Sequence, residues 1–460
     1  MKKTLRKLLC AAGVAAVLGT TSLAAPVSDI SIKLNGQPLT FTDAVPQIVN
    51  DRTYLPFRTV FAALGFEDEN ITYDGATRTV TAVGDDVTVS MVIGENQVSV
   101  TRDGKTEILE TDAPAFIDPA VNRTLVPARF ISEAAGYDVG WDGETRTVII
   151  DDVDAILAAN EETYEILELY LDYGRKFQEK KYQVDGSYTA DMILLEDTMK
   201  MEGDYSMLME GGTKFDFDMQ MKMSGNIEGE DLAAVIPEGI DLEMRGDMGT
   251  GVFYFKSDAL MTMMETGVEN MWFRLDTAAM LENMSAETGL GFADLYQYTG
   301  MMTDMSGREY IDFLVRMMAE ADPAASAADH LAVLNAMLGD SAYTKQGGAY
   351  VNSFEMDGAK MSMTFHTSGG KVCGYEMLID ALDESSGMAI RTQMEMAMLG
   401  DEMTAEIVMD MGGTVSMEMT MDGTYTVTDQ APAGAPGEDA AVMDLSGMLG
   451  NLPMSGTTEY

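Results

Sequence analysis

The residues with the most distinctive chemistry in this chain are its 41 methionines, because many of them recur at every second position. Phe215, Phe217, Met219, Met221 and Met223 alternate with Lys214, Asp216, Asp218, Gln220 and Lys222. Met361, Met363 and Phe365 repeat the scheme, as do Met394, Met396 and Met398. Met417, Met419 and Met421 alternate with Ser416, Glu418, Thr420 and Asp422. Thioethers at that spacing support three chemistries. They can fill a core in place of Val, Ile and Leu, being flexible and adaptable, although burying them costs more side-chain entropy. They can line a pocket that repacks around varied hydrophobic ligands such as lipids or acyl chains. They can also hold copper(I) or silver(I), since soft donors prefer soft ions and Met-x-Met puts two of them on one strand face. Copper sites of exported proteins usually add histidine or cysteine, and only His366 lies near such a pair in the sequence.

The rest of the reactive inventory argues against catalysis. The chain holds two histidines, His330 and His366, and two cysteines, Cys10 and Cys373. No G-x-S-x-G stands beside a usable histidine, and C-x-x-C, H-E-x-x-H and P-loop patterns are absent. Paired carboxylates carry no information among 76 acidic residues, and no D-x-[DN]-x-[DN]-G calcium loop occurs. The expectation is a protein that is not an enzyme and has no cofactor and no dedicated metal centre. Cys373, in the strand-like stretch Lys371-Val372-Cys373-Gly374-Tyr375, reads as a small buried apolar residue.

The elements that position the methionines follow from the same period. Strict alternation predicts an antiparallel sheet with one wet and one apolar face. Asp-Gly or Gly-Asp pairs at 185–186, 203–204, 357–358, 400–401 and 422–423 read as its turns. A helix is expected over about 153–181. A helical insertion is expected over about 276–338, with Tyr310, Phe313, Leu314 and Met317 on one side, as cover for the apolar face. The fold class is therefore α+β, with a large, one-sided, Met-rich sheet that is half-barrel-like. A long sheet curling over helices resembles the half-barrel lipoprotein-carrier and lipid-binding proteins of the LolA and LppX group; the resemblance is architectural and no motif carries it.

Ahead of the sheet lies a different composition. Between residues 26 and 152 Met91 is the only methionine, and that stretch contains a repeat. One copy reads Asn50-Asp51-Arg52-Thr53-Tyr54-Leu55-Pro56-Phe57-Arg58, then Ala62-Ala63-Leu64-Gly65-Phe66 and Tyr73-Asp74-Gly75-Ala76-Thr77-Arg78-Thr79-Val80. The other reads Asn122-Arg123-Thr124-Leu125-Val126-Pro127-Ala128-Arg129, then Glu133-Ala134-Ala135-Gly136-Tyr137 and Trp141-Asp142-Gly143-Glu144-Thr145-Arg146-Thr147-Val148. In each copy the proline should open a short helix that the glycine closes. An Asp-Gly hairpin tolerating positive φ should then lead into a β-branched strand. Arg58 and Arg129, beside the two helix starts, suit a structural hydrogen-bonding role better than anion binding.

This doubled pattern resembles the copper amine oxidase N-terminal-like domain over about residues 28–152. In amine oxidases that domain is a non-catalytic stalk, so the resemblance implies presentation or interaction rather than chemistry. The oxidase centre needs three histidine ligands and a tyrosine-derived quinone, and both histidines here lie outside the matching stretch.

Compartment and limits complete the reading. Lys2, Lys3, Arg6 and Lys7, an apolar run over 8–18, and Ser22-Leu23-Ala24-Ala25 form a signal-peptide pattern. Cys10 opens the apolar run instead of closing it, which disfavours lipidation. Removing residues 1–25 takes four bases from 29, leaving 25 minus 76, or −51. Such a charge repels nucleic acids and anionic polymers. The expected organisation is a signal peptide over 1–25, the stalk-like domain over 26–152, the sheet domain over 153–429, and a flexible acidic tail over 430–460 with a short helix at 440–452. The expected function is a secreted, extracellular binding protein, held at the cell wall non-covalently if at all, whose stalk-like module presents the sheet for a hydrophobic, lipid-like ligand. The fourteen Met and Phe residues named above would line the pocket. The competing readings are a structural or adhesive partner of cell-envelope components with a simply filled core, and copper(I) binding by thioethers. No transmembrane segment is expected after cleavage.

Overall fold

Each copy of the repeat folds as its residues demand. In a computed structural model that describes residues 30–446 apart from 42–43, 179, 228, 258–269, 280–304, 357 and 384–388, Pro56 and Pro127 stand at the N-caps of helices Phe57–Ala63 and Ala128–Ala135 with φ of −60° and −62°. Gly65 and Gly136 follow at φ 90° and 99°, the left-handed conformation that ends a helix at little cost in glycine. The Asp-Gly hairpins differ in one respect from expectation: the positive φ falls on Arg78 (55°) and Arg146 (56°). Asp74 instead closes its turn by accepting from the Ala76 N–H at 2.8 Å and the Thr77 hydroxyl at 2.8 Å. Arg58 takes the structural role, donating to the Asp68 carbonyl and carboxylate at 2.9 and 2.8 Å.

Contacts divide the chain into two units. The first comprises residues up to Thr163 together with Arg308–Ala336. Its two R-T-x-x-P strands pair antiparallel with each other (Leu125 with Pro56, Val126 with Leu55, Pro127 with Tyr54), so the repeats meet at a local dyad. A five-stranded meander over 71–110 and a four-stranded sheet, in which Ser31–Leu34 runs parallel to Thr147–Asp151, enclose the core around Phe61, Leu55, Val126 and Ile150.

Two expectations about helices change here. The stretch 153–181 is two helices, Val153–Ala158 and Glu165–Gln178, in different units. Arg308 donates to the carbonyls of Leu157 and Asn160 and thereby satisfies the end of the first helix. Helices Gly307–Ala321 and Ala327–Leu338 form in the expected insertion, whose residues 280–304 lie outside the described residues. Residues 308–336 group with the first unit. Their anchor is Asp151, which accepts from the Ser326 hydroxyl at 2.9 Å and the Ala327 N–H at 2.7 Å. Lys33 pairs with Asp329 at 3.1 Å.

Among the described residues the second unit is dominated by a 15-stranded open sheet. Two antiparallel meanders, over 181–276 and 344–428, join where Val415–Thr428 pairs with Lys181–Leu194. Ala441–Asp444 adds a parallel edge strand beside Met271–Asp276, which replaces the helix expected at 440–452; residues 447–452 lie outside the described ones. Nor does the segment before it behave as a free linker, because the N–H groups of Ala433 and Gly434 donate to Asp216 at 2.8 and 3.0 Å.

Three of the glycine pairs read as turns lie inside strands: Gly186, Gly203 and Gly423. Gly358 and Gly400 do sit in turns, with φ of 79° and 71°. At Gly203 a Cβ would meet the Gln220 carbonyl at 1.8 Å, and at the other two it would meet Tyr205. A Cβ on Gly186 would fall 2.7 Å from its ring, and one on Gly423 would fall 2.4 Å from its hydroxyl. The residues 1–25 read as a signal peptide lie outside the described residues.

Candidate functional site

Register places all fourteen Met and Phe residues on one face of the large sheet. Met219 stands opposite Tyr205, which stands opposite Gly186; the row continues through Gly423, Met403, Met398, Tyr375 and Phe365. The next row carries Met221, Tyr188, Met421, Met396, Met377 and Met363, and the one after it Met223, Met201, Met419, Met394 and Met361. Since successive side chains point to opposite faces, the intervening Asp, Glu, Lys and Thr residues form the wet face. Val184, Tyr182, Tyr425, Met199, Met207 and Met409 share the apolar face and escaped the sequence reading. Their period was visible, but for all except Met409 the mid-strand glycines read as turns cut short the strands on which they lie.

The face is not uniform along the strands. At one end the Glu165–Gln178 helix lies on it, and its first two amides are capped by Asp340 at 2.9 and 2.8 Å. Ile166, Tyr170, Tyr173 and Phe177 from this helix pack on Met363, Phe365, Val372 and Tyr375. Rings interlock there: Tyr170 lies 4.9 Å from Phe365 and 5.5 Å from Tyr375, and Phe177 lies 5.1 Å from Tyr182. Burial pushes the phenols of Tyr173 and Tyr425 up to about 12. Two sulfurs accept from tyrosine hydroxyls, Met363 from Tyr343 at 3.9 Å and Met403 from Tyr425 at 3.4 Å.

Away from the helix the aromatics give way to methionine. Of the fourteen expected residues, Phe215, Met361, Met363 and Phe365 are buried. The other ten, Phe217, Met219, Met221, Met223, Met394, Met396, Met398, Met417, Met419 and Met421, are only half-buried. The apolar face therefore continues into partial contact with water. Its outer rim carries exposed aliphatic residues at a strand end, with Leu194 56% and Leu195 73% exposed.

Two clefts lie elsewhere in this unit. One of about 130 Å³ is lined by Leu169, Asp172, Tyr173, Lys176, Lys371 and Val372, too small for an acyl chain. One of about 320 Å³ opens on the wet face around Gln183, Ser206, Asp216, Asp218 and Arg245. Its cation is neutralised: Arg245 meets Asp218 at 2.9 Å, Glu243 at 3.3 Å and Asp216 at 3.6 Å.

Two sequence readings of single residues change. His366 lies on the wet face, 3.0 Å from Glu376, and so points away from Met361 and Met363. Cys373 is exposed. A register shift at His366/Thr367 turns Val372, 1% exposed, into the core in its place. Among the described residues no group of three His, Cys, Asp or Glu side chains gathers to hold a metal, and no helix is long and apolar enough to cross a membrane.

Comparison with known proteins bears on the first unit. Residues 33–150 match the family model of the copper amine oxidase N-terminal domain. No curated protein matches the chain. Among solved structures, one assigned as an outer membrane lipoprotein-sorting protein domain from Vibrio parahaemolyticus is 7% identical and covers 58% of this chain and 95% of its own, with a TM-score of 0.21. One assigned as an outer membrane protein from Bacteroides fragilis is 7% identical and covers 54% of this chain and 98% of its own, with a TM-score of 0.10. At such scores these likenesses do not bear on what the chain binds.

Proposed function

We propose that this chain is an exported, non-catalytic binding protein whose methionine face seats a hydrophobic ligand of the acyl-chain class, and that the module at 33–150 serves as a stalk for it. The observation that carries the proposal is the run of half-buried Met and Phe side chains, all but Met398 of the ten lying outside the cluster under the helix. A sheet face built only to be packed would be closed over. Leaving large apolar side chains half in water forgoes much of the roughly 1.5–3 kcal/mol that full burial of each contributes. A ligand covering about 300 Å² of the face would recover roughly 7 kcal/mol before the entropic costs of association. Thioethers with three rotatable bonds adapt to a chain of variable length or saturation, which branched residues do less well.

A long-chain fluorescent fatty acid titrated into the full chain tests the proposal. Saturable binding is expected, weakened at least about tenfold, or 1.4 kcal/mol, by Met219→Gln with Met421→Gln. The substituted positions are half-buried, so the fold should survive, and circular dichroism checks that. If the unaltered protein shows no saturable binding, and native mass spectrometry of protein from its own host finds no co-purifying lipid, the face is a plain core and the proposal fails.

A further inference from the structure

The methionine face contains one arrangement that an acyl seat does not require. In the row nearest the Leu194 rim, Met199 pairs with Met192, Met192 with Met417, and Met417 with Met409. Four methionines therefore stand directly opposite one another on four adjacent strands, Asp197–Glu210, Lys181–Leu194, Val415–Thr428 and Glu402–Met411. The ladder is flanked by Gly225, opposite Met199, and by Thr392, opposite Met409. Neither flanking side chain is bulky enough to cover it. All four methionines are half-buried and open to solvent. Near the helix, tyrosine hydroxyls bond the sulfurs of Met363 and Met403; among the described residues no donor is bonded to the ladder sulfurs.

Directly opposed residues on one face have Cβ atoms about 4.5–5.5 Å apart. Three rotatable bonds then let neighbouring thioethers converge on a shared point. Strands favour β-branched and aromatic residues at such positions, so four adjacent unbranched thioethers run against propensity. The chemistry of the donor set is narrow. Thioethers bind soft, closed-shell monovalent ions and leave calcium, magnesium and zinc to oxygen, nitrogen and thiolate donors. A chain with a net charge of −47 attracts cations generally, and Asp191, Glu418 and Asp410 alternate with the ladder residues on the strands beneath it.

We propose that directly opposed thioethers of this ladder, with Met192 and Met417 at its centre and Met199 and Met409 as their outer neighbours, hold a soft monovalent cation, copper(I) or silver(I), between pairs of sulfurs. No electron transfer is involved, and the ion enters and leaves in the same oxidation state. The site goes beyond the acyl-chain reading and does not depend on it.

The test is competition of the full chain for copper(I) against a coloured chelator under anaerobic conditions, with silver(I) as a redox-inert check. At least one ion per chain should be withheld from the chelator. Met192→Leu with Met417→Leu should weaken that binding by more than about a hundredfold, the upper end of what loss of a mere supporting residue costs at metal sites. Met221→Leu with Met421→Leu, elsewhere on the face, should leave it within about twofold, well inside the 1.4 kcal/mol that a tenfold change represents. No competition by the unaltered protein, or equal loss in both pairs, overturns the proposal. Copper(I) competition is read without fatty acid and the fatty-acid titration is read on the unaltered protein without metal, so the two readings can fail separately.

Discussion

Tyr205 supplies the sharpest check on how the apolar face is built. Its ring lies across Gly186 and beside Gly423, which pair with each other on neighbouring strands, and its hydroxyl donates to the Asp422 carbonyl at 2.9 Å. In Gly423→Ala the new Cβ would sit 2.4 Å from that hydroxyl, 3.2 Å from Val184 Cγ1 and 3.5 Å from Met403 Cε. Only the first distance is prohibitive. Tyr205 is 5% exposed and cannot swing away without disturbing the sheet. Moving it loses a hydrogen bond of about 1 kcal/mol, and overpacking adds roughly 1–3 kcal/mol. Replacing a strand glycine by alanine returns about 0.5–1 kcal/mol, so the net cost should be about 2–3 kcal/mol. In a Tyr205→Phe background the clashing oxygen is gone, and Gly423→Ala should cost less than about 1 kcal/mol; the coupling should be 1–2 kcal/mol. The chain's two tryptophans, Trp141 and Trp272, fall one in each unit. A Trp141→Phe parent therefore lets Trp272 fluorescence follow urea unfolding of the second unit alone. Additive costs, with a coupling below about 0.5 kcal/mol, would mean that Tyr205 does not occupy the space above these glycines.

His330 is 1% exposed in the first unit, and burial holds its pKa below the usual histidine value of 6.5. The unfolded chain then takes up a proton first as pH falls, so first-unit stability should decline below about pH 6.5, by no more than about 1.4 kcal/mol per pH unit. Unfolding followed by Trp141 should show that slope, and His330→Leu should flatten it. Asp151, whose pKa burial raises, acts with the opposite sign above 3.8 and cannot mimic the effect. Asp216→Ala should free the Ala433 and Gly434 amides and raise cleavage within 430–437 by a broad-specificity protease severalfold; unchanged cleavage would show that other contacts hold the segment.

The apolar face was legible in the sequence because a period of two is a local property: from Phe215 to Met421, every residue assigned to it by alternation lies on it. What the sequence hid was of two kinds, both non-local. Gly186, Gly203 and Gly423 carry turn chemistry in their dipeptides, yet Tyr205, on another strand, supplies the reason for two of them. A ring that needs space above its neighbours is satisfied by glycine, and no short-range rule separates that use from a turn. The helices over 307–338 were visible as helices, but amphipathicity states only that a face must be buried, not where. Asp151 decides it, by capping a helix that begins 176 residues later. The same limit separates the two uses of methionine on the sheet. Alternation is equally good evidence for a filled core, an acyl seat and a soft-metal site. Only register, which sets Met192 beside Met199 and Met417, distinguishes a ladder of donors from a scatter of them, and only the half-burial of that row leaves its sulfurs within reach of a ligand.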